Sequence, residues 1–267
     1  MANSLILSLA ALAALVPAAV LPLRRGRERP DFLFWAAIAV AVAGPAAYSL
    51  VQLGGAWQTG LSAALWVSIA ASMAFFALLA LVTREGWRLR PLLLPYLILL
   101  GVLATVWRHL PGREGLAAAP DAWLSAHIAL SVATYGLCTL AAMAAAAAVL
   151  QERALKRKRP TALTRALPSV SDASFLEVRL LGVSEVVLAL GIATGMAEQF
   201  LSSGRLLVFD HKTLLAILAF AVIAVLLILH QRSGLRGQNA ARLILLAYLL
   251  LTLAYPGVKF VTDVLIG

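Results

Sequence analysis

The chain has 267 residues, 62% of them hydrophobic and 13% charged, a formal net charge of +10 and a mean hydropathy of +0.93. That balance excludes a soluble globular domain and indicates a polytopic membrane protein. The basic residues fall in alternate short loops rather than along one stripe, which assigns them to topology and argues against a nucleic-acid partner.

The length supplies about eight spans of roughly 20 residues with short connections. An all-α membrane helix bundle forming one integral membrane domain over residues 1–267 is the expectation. The first apolar run, Leu5 to Leu23, has no Lys or Arg before it, whereas Arg24, Arg25, Arg27 and Arg29 follow it. That is the wrong polarity for a cleaved signal peptide, so it reads as a retained helix with its amino end outside. Further spans are expected over Phe32–Leu53, Leu61–Thr83, Pro91–Trp107, Trp123–Leu150, Leu180–Leu201, Thr213–His230 and Ala241–Val261. Pro45 and Pro95 lie inside spans, where they favour kinks.

The loops alternate in charge. Arg24 to Arg29, Arg84 to Arg90, Arg153 to Arg159 with Arg165, and Arg232 to Arg242 are basic, whereas Gly54 to Gly60, Arg108 to Asp121 and Ser202 to Asp210 are neutral or mixed. The positive-inside rule makes the first group cytoplasmic and puts both termini on the outer side, the periplasm in a bacterium. The basic stretch from Gln151 to Arg179 reads as a solvated connection attracted to anionic lipid, with docking of a soluble partner as the alternative.

Polar side chains cluster at two places near the outer edge. Trp123 opens the fifth span, and His127, Ser131, Thr134 and Cys138 then recur at i, i+4, i+7 and i+11, which puts them on one helix face. In hydrocarbon such a face turns towards protein or a wet cavity. His127 is then either a structural histidine bonded to a neighbouring helix or a metal or haem ligand on a cavity wall. The second cluster is Phe209-Asp210-His211-Lys212. Asp210 is placed to cap the following helix, whose N-terminus favours a negative charge. If His127 and His211 converge, they offer two imidazoles to one iron, with Arg205, Lys212 or Lys259 available to haem propionates.

The remaining polar positions carry blander readings. His109 and His230 read as interfacial, and Glu185 is placed to pair with Arg179 or reach the interface. Gly191-Ile192-Ala193-Thr194-Gly195 has the small-xxx-small spacing of close helix packing. The lone Cys138 excludes an intramolecular disulfide and a cysteine-based metal cluster. No phosphate-binding Gly-rich loop, His-Glu-x-x-His or nucleophile elbow is present, so an enzyme is not expected.

From Trp123 onward the landmarks resemble the integral-membrane cytochrome c assembly family of CcsA-type and CcmC-type proteins. They are, in order, Trp123-Leu-Ser-Ala-His127 with Tyr135, Phe175-Leu-Glu-Val-Arg179, Gly191 to Gly195, Phe209-Asp210-His211-Lys212 and His230-Gln231-Arg232. The family's Trp-x-x-x-His helix carries an external haem ligand, which the resemblance places on His127. Phe209-Asp210 falls at the end of its tryptophan-rich haem motif. Ser202 to Val208 holds no tryptophan, His211 replaces a proline, and Tyr255 to Lys259 stands where a second histidine is expected. The length and ending look closest to the small YpjD-like or HemX-like branch. The resemblance implies a cytochrome c assembly core over residues 123–263 in a bacterial inner membrane. It also implies haem handling rather than catalysis: haem b bound or presented at the outer face through His127, His211, Asp210, Lys212, Phe209 and Trp123, together with a cytochrome c maturation or other membrane partner. The other reading is an accessory or regulatory subunit that keeps the fold without haem.

Overall fold

In the computed structural model of the chain, residues 2–25, 30–53, 60–109, 122–204, 210–234, 237–261 and 264 are described; at 2–3, 21–25, 53 and 109 the description covers backbone alone. Among them the chain forms helices and no strands. The long ones are α1 (Ala2–Arg25), α2 (Phe32–Leu53), α3 (Leu61–Val82), α4 (Arg90–Val106), α5 (Ala122–Lys156), α7 (Val170–Ser203), α8 (His211–Ser233) and α9 (Gly237–Thr252), with a short α6 (Ala162–Ala166). From Leu253 to Gly257 the last helix continues as a π-helical turn around Pro256. Seven helical stretches are long and apolar enough to cross a membrane, and α1 adds a shorter apolar stretch, Ser4–Val20. The protein is a multi-pass membrane bundle.

Side chains define the helix ends. The Phe34 N–H donates to Asp31 Oδ1 at 2.8 Å before α2, and the Asp172 N–H to the Ser169 hydroxyl at 3.2 Å before α7. Each satisfies one of the backbone donors that a helix start leaves free. α7 and α8 both stop at left-handed glycines, Gly204 (φ 70°) and Gly234 (φ 65°), the conformation that closes a helix without a Cβ penalty.

α5 is the centre of the bundle. It packs along α7 as the most extensive helix pair and also touches α3 and α9, while α1 to α4 pack among themselves. Composition suits this central place: Ala141, Ala144, Ala145 and Ala147 are fully buried, and small side chains let neighbouring backbones come near in a membrane. The rest of the core is Trp66, Phe76, Leu94, Leu97 and their neighbours.

The basic stretch after α5 differs from the expected open connection. α5 runs on to Lys156 and α7 begins at Val170, so helix covers most of residues 151–179. Gln151 draws the intervening chain in, its amide donating to the carbonyls of Thr164 at 2.8 Å and Pro168 at 2.9 Å. Hydropathy marks where the membrane ends, whereas Gln151-Glu-Arg-Ala-Leu-Lys156 are all good helix formers and carry the helix past that point. Arg90 also departs from a solvated loop residue. It is buried, with its guanidinium 4.9 Å above the Phe34 ring.

Candidate functional site

α5, α7, the start of α8 and the last helix enclose a cavity of about 290 Å³, at the small end of the range for ligand sites. α5 supplies His127, Ser131, Thr134 and Tyr135. The polar face of α5 therefore turns to a cavity over its first three positions. Its fourth, Cys138, is buried deeper, where its thiol donates to the Ser184 hydroxyl at 3.3 Å. Leu188, Gly191, Ile192, Gly195 and Met196 of α7 form the facing wall, and Glu198 and Gln199 follow towards the helix end. Asp210, Lys212 and Thr213 close the α8 side, and Leu251, Ala254 and Tyr255 the last.

His127 is held from α7. Its Nδ1 lies 2.8 Å from the Gly191 carbonyl oxygen. A carbonyl only accepts, so Nδ1 carries the hydrogen, which in the neutral imidazole leaves the lone pair on Nε2. The same carbonyl accepts from the Thr194 hydroxyl at 3.0 Å. The two glycines of the small-xxx-small spacing have different neighbours. A Cβ at Gly195 would stand 2.9 Å from the His127 Cε1 and Nδ1 atoms, while a Cβ at Gly191 would meet only Leu130 Cβ at 3.7 Å. The pair, read from sequence as helix packing, is in the structure the bed on which the imidazole lies. The spacing to His127 gave no signal of this, because 64 residues separate His127 from Gly191.

At the α8 end, Asp210 Oδ1 accepts from the Thr213 N–H at 2.7 Å, the expected cap. Partial burial raises the Asp210 carboxyl, but the bonds from Thr213 and the charges of Lys212 and His211 outweigh it and hold the carboxyl below its ordinary value. Asp210 and Lys212 line the cavity; His211 lies between them on the exposed side and is not among the lining residues. Trp123 is 46% exposed and also stands outside the lining. Phe209 and Arg205 fall outside the described residues. The Arg179 guanidinium lies 4.4 Å over the Phe175 ring, and the two Glu185 carboxylate oxygens are buried without a hydrogen bond among the described residues.

A tyrosine cluster that sequence reading missed backs the cavity. The hydroxyl of Tyr135 is 3.3 Å from that of Tyr96 and 3.2 Å from that of Tyr248, and the Tyr96 and Tyr248 hydroxyls bond to each other. Thr139 donates to Tyr248 at 3.1 Å. Three helices, α4, α5 and α9, are thereby tied at the foot of the wall, and the Tyr135 ring packs 6.2 Å from that of Tyr255. No group of three or more His, Cys, Asp or Glu side chains that could hold a metal ion occurs among the described residues.

The family model described as "Cytochrome C assembly protein" matches residues 32–266. An uncharacterized 28.8 kDa protein in the nifR3-like 5' region of Azospirillum brasilense is 53% identical over the full length of both chains. Protein HemX of Brevibacillus brevis is 28% identical over 134 residues, 50% of this chain and 49% of that protein. No solved structure matches.

Proposed function

Because the chain belongs to the cytochrome c assembly protein family, we propose that it is a haem-handling protein of cytochrome c biogenesis. It binds or presents haem b at the outer face of a bacterial inner membrane and is not itself an enzyme. The observation that carries this reading is His127: one ring nitrogen is bonded to Gly191, and the other keeps its lone pair on a residue that lines a cavity. An imidazole oriented through its second nitrogen is the usual form of a metal-ligating histidine. The donor set fits haem, since His127 offers one nitrogen and Lys212 in the same lining offers a cation to a propionate. When bound, haem supplies the iron, and the chain's own residues orient the ligand, hold charge at the α8 side and line the rest with apolar and aromatic surface.

The deciding experiment is a hemin titration of the detergent-purified protein followed by absorption, beside His127→Ala and His211→Ala. The expected result is a saturable Soret band that His127→Ala collapses. A wild-type protein that takes up no hemin, or a His127→Ala variant with the wild-type spectrum, defeats the reading. A second reading, an accessory membrane subunit that keeps the fold without haem, draws support from Trp123 and His211, which both stand outside the lining. Under it, the purified protein stays colourless and copurifies with a membrane partner.

A further inference from the structure

Positions 191 and 195 are one turn apart on α7, stacked on the same helix face. A glycine pair that serves helix packing presents both of its bare positions to a neighbouring backbone. Among the described residues neither position does so: outside the helix's own backbone, the nearest atoms to a Cβ at 195 belong to the His127 ring, and a Cβ at 191 comes within 4 Å of Leu130 Cβ alone. At 2.9 Å the Gly195 clash is closer than carbon atoms tolerate, whereas 3.7 Å at Gly191 is ordinary contact.

The ring cannot simply step aside. Its Nδ1 is bonded to the carbonyl one turn below, and that oxygen also takes the Thr194 hydroxyl. A side chain at 195 would stand 2.9 Å from the same Nδ1 that makes this bond, so the ring would have to give up the bond, its tautomer or its place in the cavity wall.

We propose that Gly195 is a positioning residue for His127: its missing side chain leaves the space in which the imidazole lies, so that Nδ1–H reaches the Gly191 carbonyl and Nε2 stays free for the cavity's occupant. Only the last step, that the occupant is haem, rests on the function proposed above. Gly191 contributes its carbonyl and not its lack of a side chain. The two glycines are therefore unequal, Gly191 replaceable by alanine and Gly195 not.

Three readouts on the purified full-length chain test this. In hemin titrations Gly195→Ala weakens binding roughly 10- to 100-fold, the usual effect of disturbing the group that orients a metal-binding histidine, and Gly191→Ala leaves it at the wild-type level. In nitrogen-15 histidine spectra without hemin, wild type and Gly191→Ala show His127 as the Nδ1–H tautomer and Gly195→Ala shows a mixture. In a double-mutant cycle of thermal unfolding, Gly195→Ala lowers the midpoint when His127 is present. In the His127→Ala background it leaves the midpoint unchanged or raises it, since alanine is the better helix former and the clash is gone. Equal losses from the two glycine variants would make the pair a helix-packing motif and overturn the proposal, as would an unchanged tautomer in Gly195→Ala. If wild type binds no hemin while the tautomer and the cycle behave as described, the haem reading fails and the seat for His127 stands.

Discussion

The cavity has two kinds of wall. On the α5–α7 side, α5 is the most buried of the membrane-spanning helices, and the polar groups are fixed by partners on other helices: His127 by Gly191, Cys138 by Ser184, Tyr135 by Tyr96 and Tyr248. On the α8 side the helix is the least buried of them, and among the described residues Asp210 is held by a bond from its own helix. Burial with cross-helix bonds makes a wall that sets geometry; exposure with local bonds makes a rim that sets charge. The two histidines of similar sequence setting, His127 and His211, fall on opposite sides of that division.

The sharpest way to break the comparison is to exchange their fates. His127→Ala should cost hemin affinity about 100-fold or more, whereas His211→Ala should stay within about tenfold, by the scale of ligand-shell losses in metal sites. Equal losses from the two variants in the titration would mean that the rim also ligates.

Next in size is the foot of the wall. Tyr248→Phe removes the hydroxyl that meets Tyr96, Tyr135 and Thr139, leaving buried polar groups short of a partner, so the purified protein should lose about 1–3 kcal/mol of stability. Thermal unfolding in detergent measures it. An unshifted midpoint would show the triangle to be dispensable.

At the rim, Asp210→Ala removes an N-cap and should cost about 1 kcal/mol, less than the wall variant in the same assay. Its pH dependence has a definite sign. The Asp210 carboxyl is held below its ordinary value when folded, so its contribution is complete above that ordinary value and fades as the pH falls through the lower, folded one. The gap in unfolding midpoint between wild type and Asp210→Asn should therefore be constant near neutrality and shrink in acid. A gap that widens in acid would contradict the cap.

Legibility in the sequence followed the range of the interaction. Spans were readable because twenty apolar residues in a row have few alternatives to crossing a membrane. The polar face of α5 and the Asp210 cap were readable because both depend on neighbours within a few turns. The continuation of α5 to Lys156 was not, because polar helix and polar loop differ little in hydropathy. The tyrosine triangle joins positions 39, 113 and 152 residues apart, and the bed for His127 joins α5 to α7. Such pairings come from the packing of whole helices, and no local pattern encodes them.

The lengths of α5 and α7 carry a mechanical consequence. They run 35 and 34 residues without a proline, about 50 Å each at 1.5 Å per residue, against a hydrocarbon layer of about 30 Å. Unlike α2 and α4, with Pro45 and Pro95 inside, they have no built-in joint. Packed along each other, the two exceed the hydrocarbon thickness by about 20 Å, with the arginine- and lysine-bearing ends at one extreme and His127 and its glycine bed towards the other.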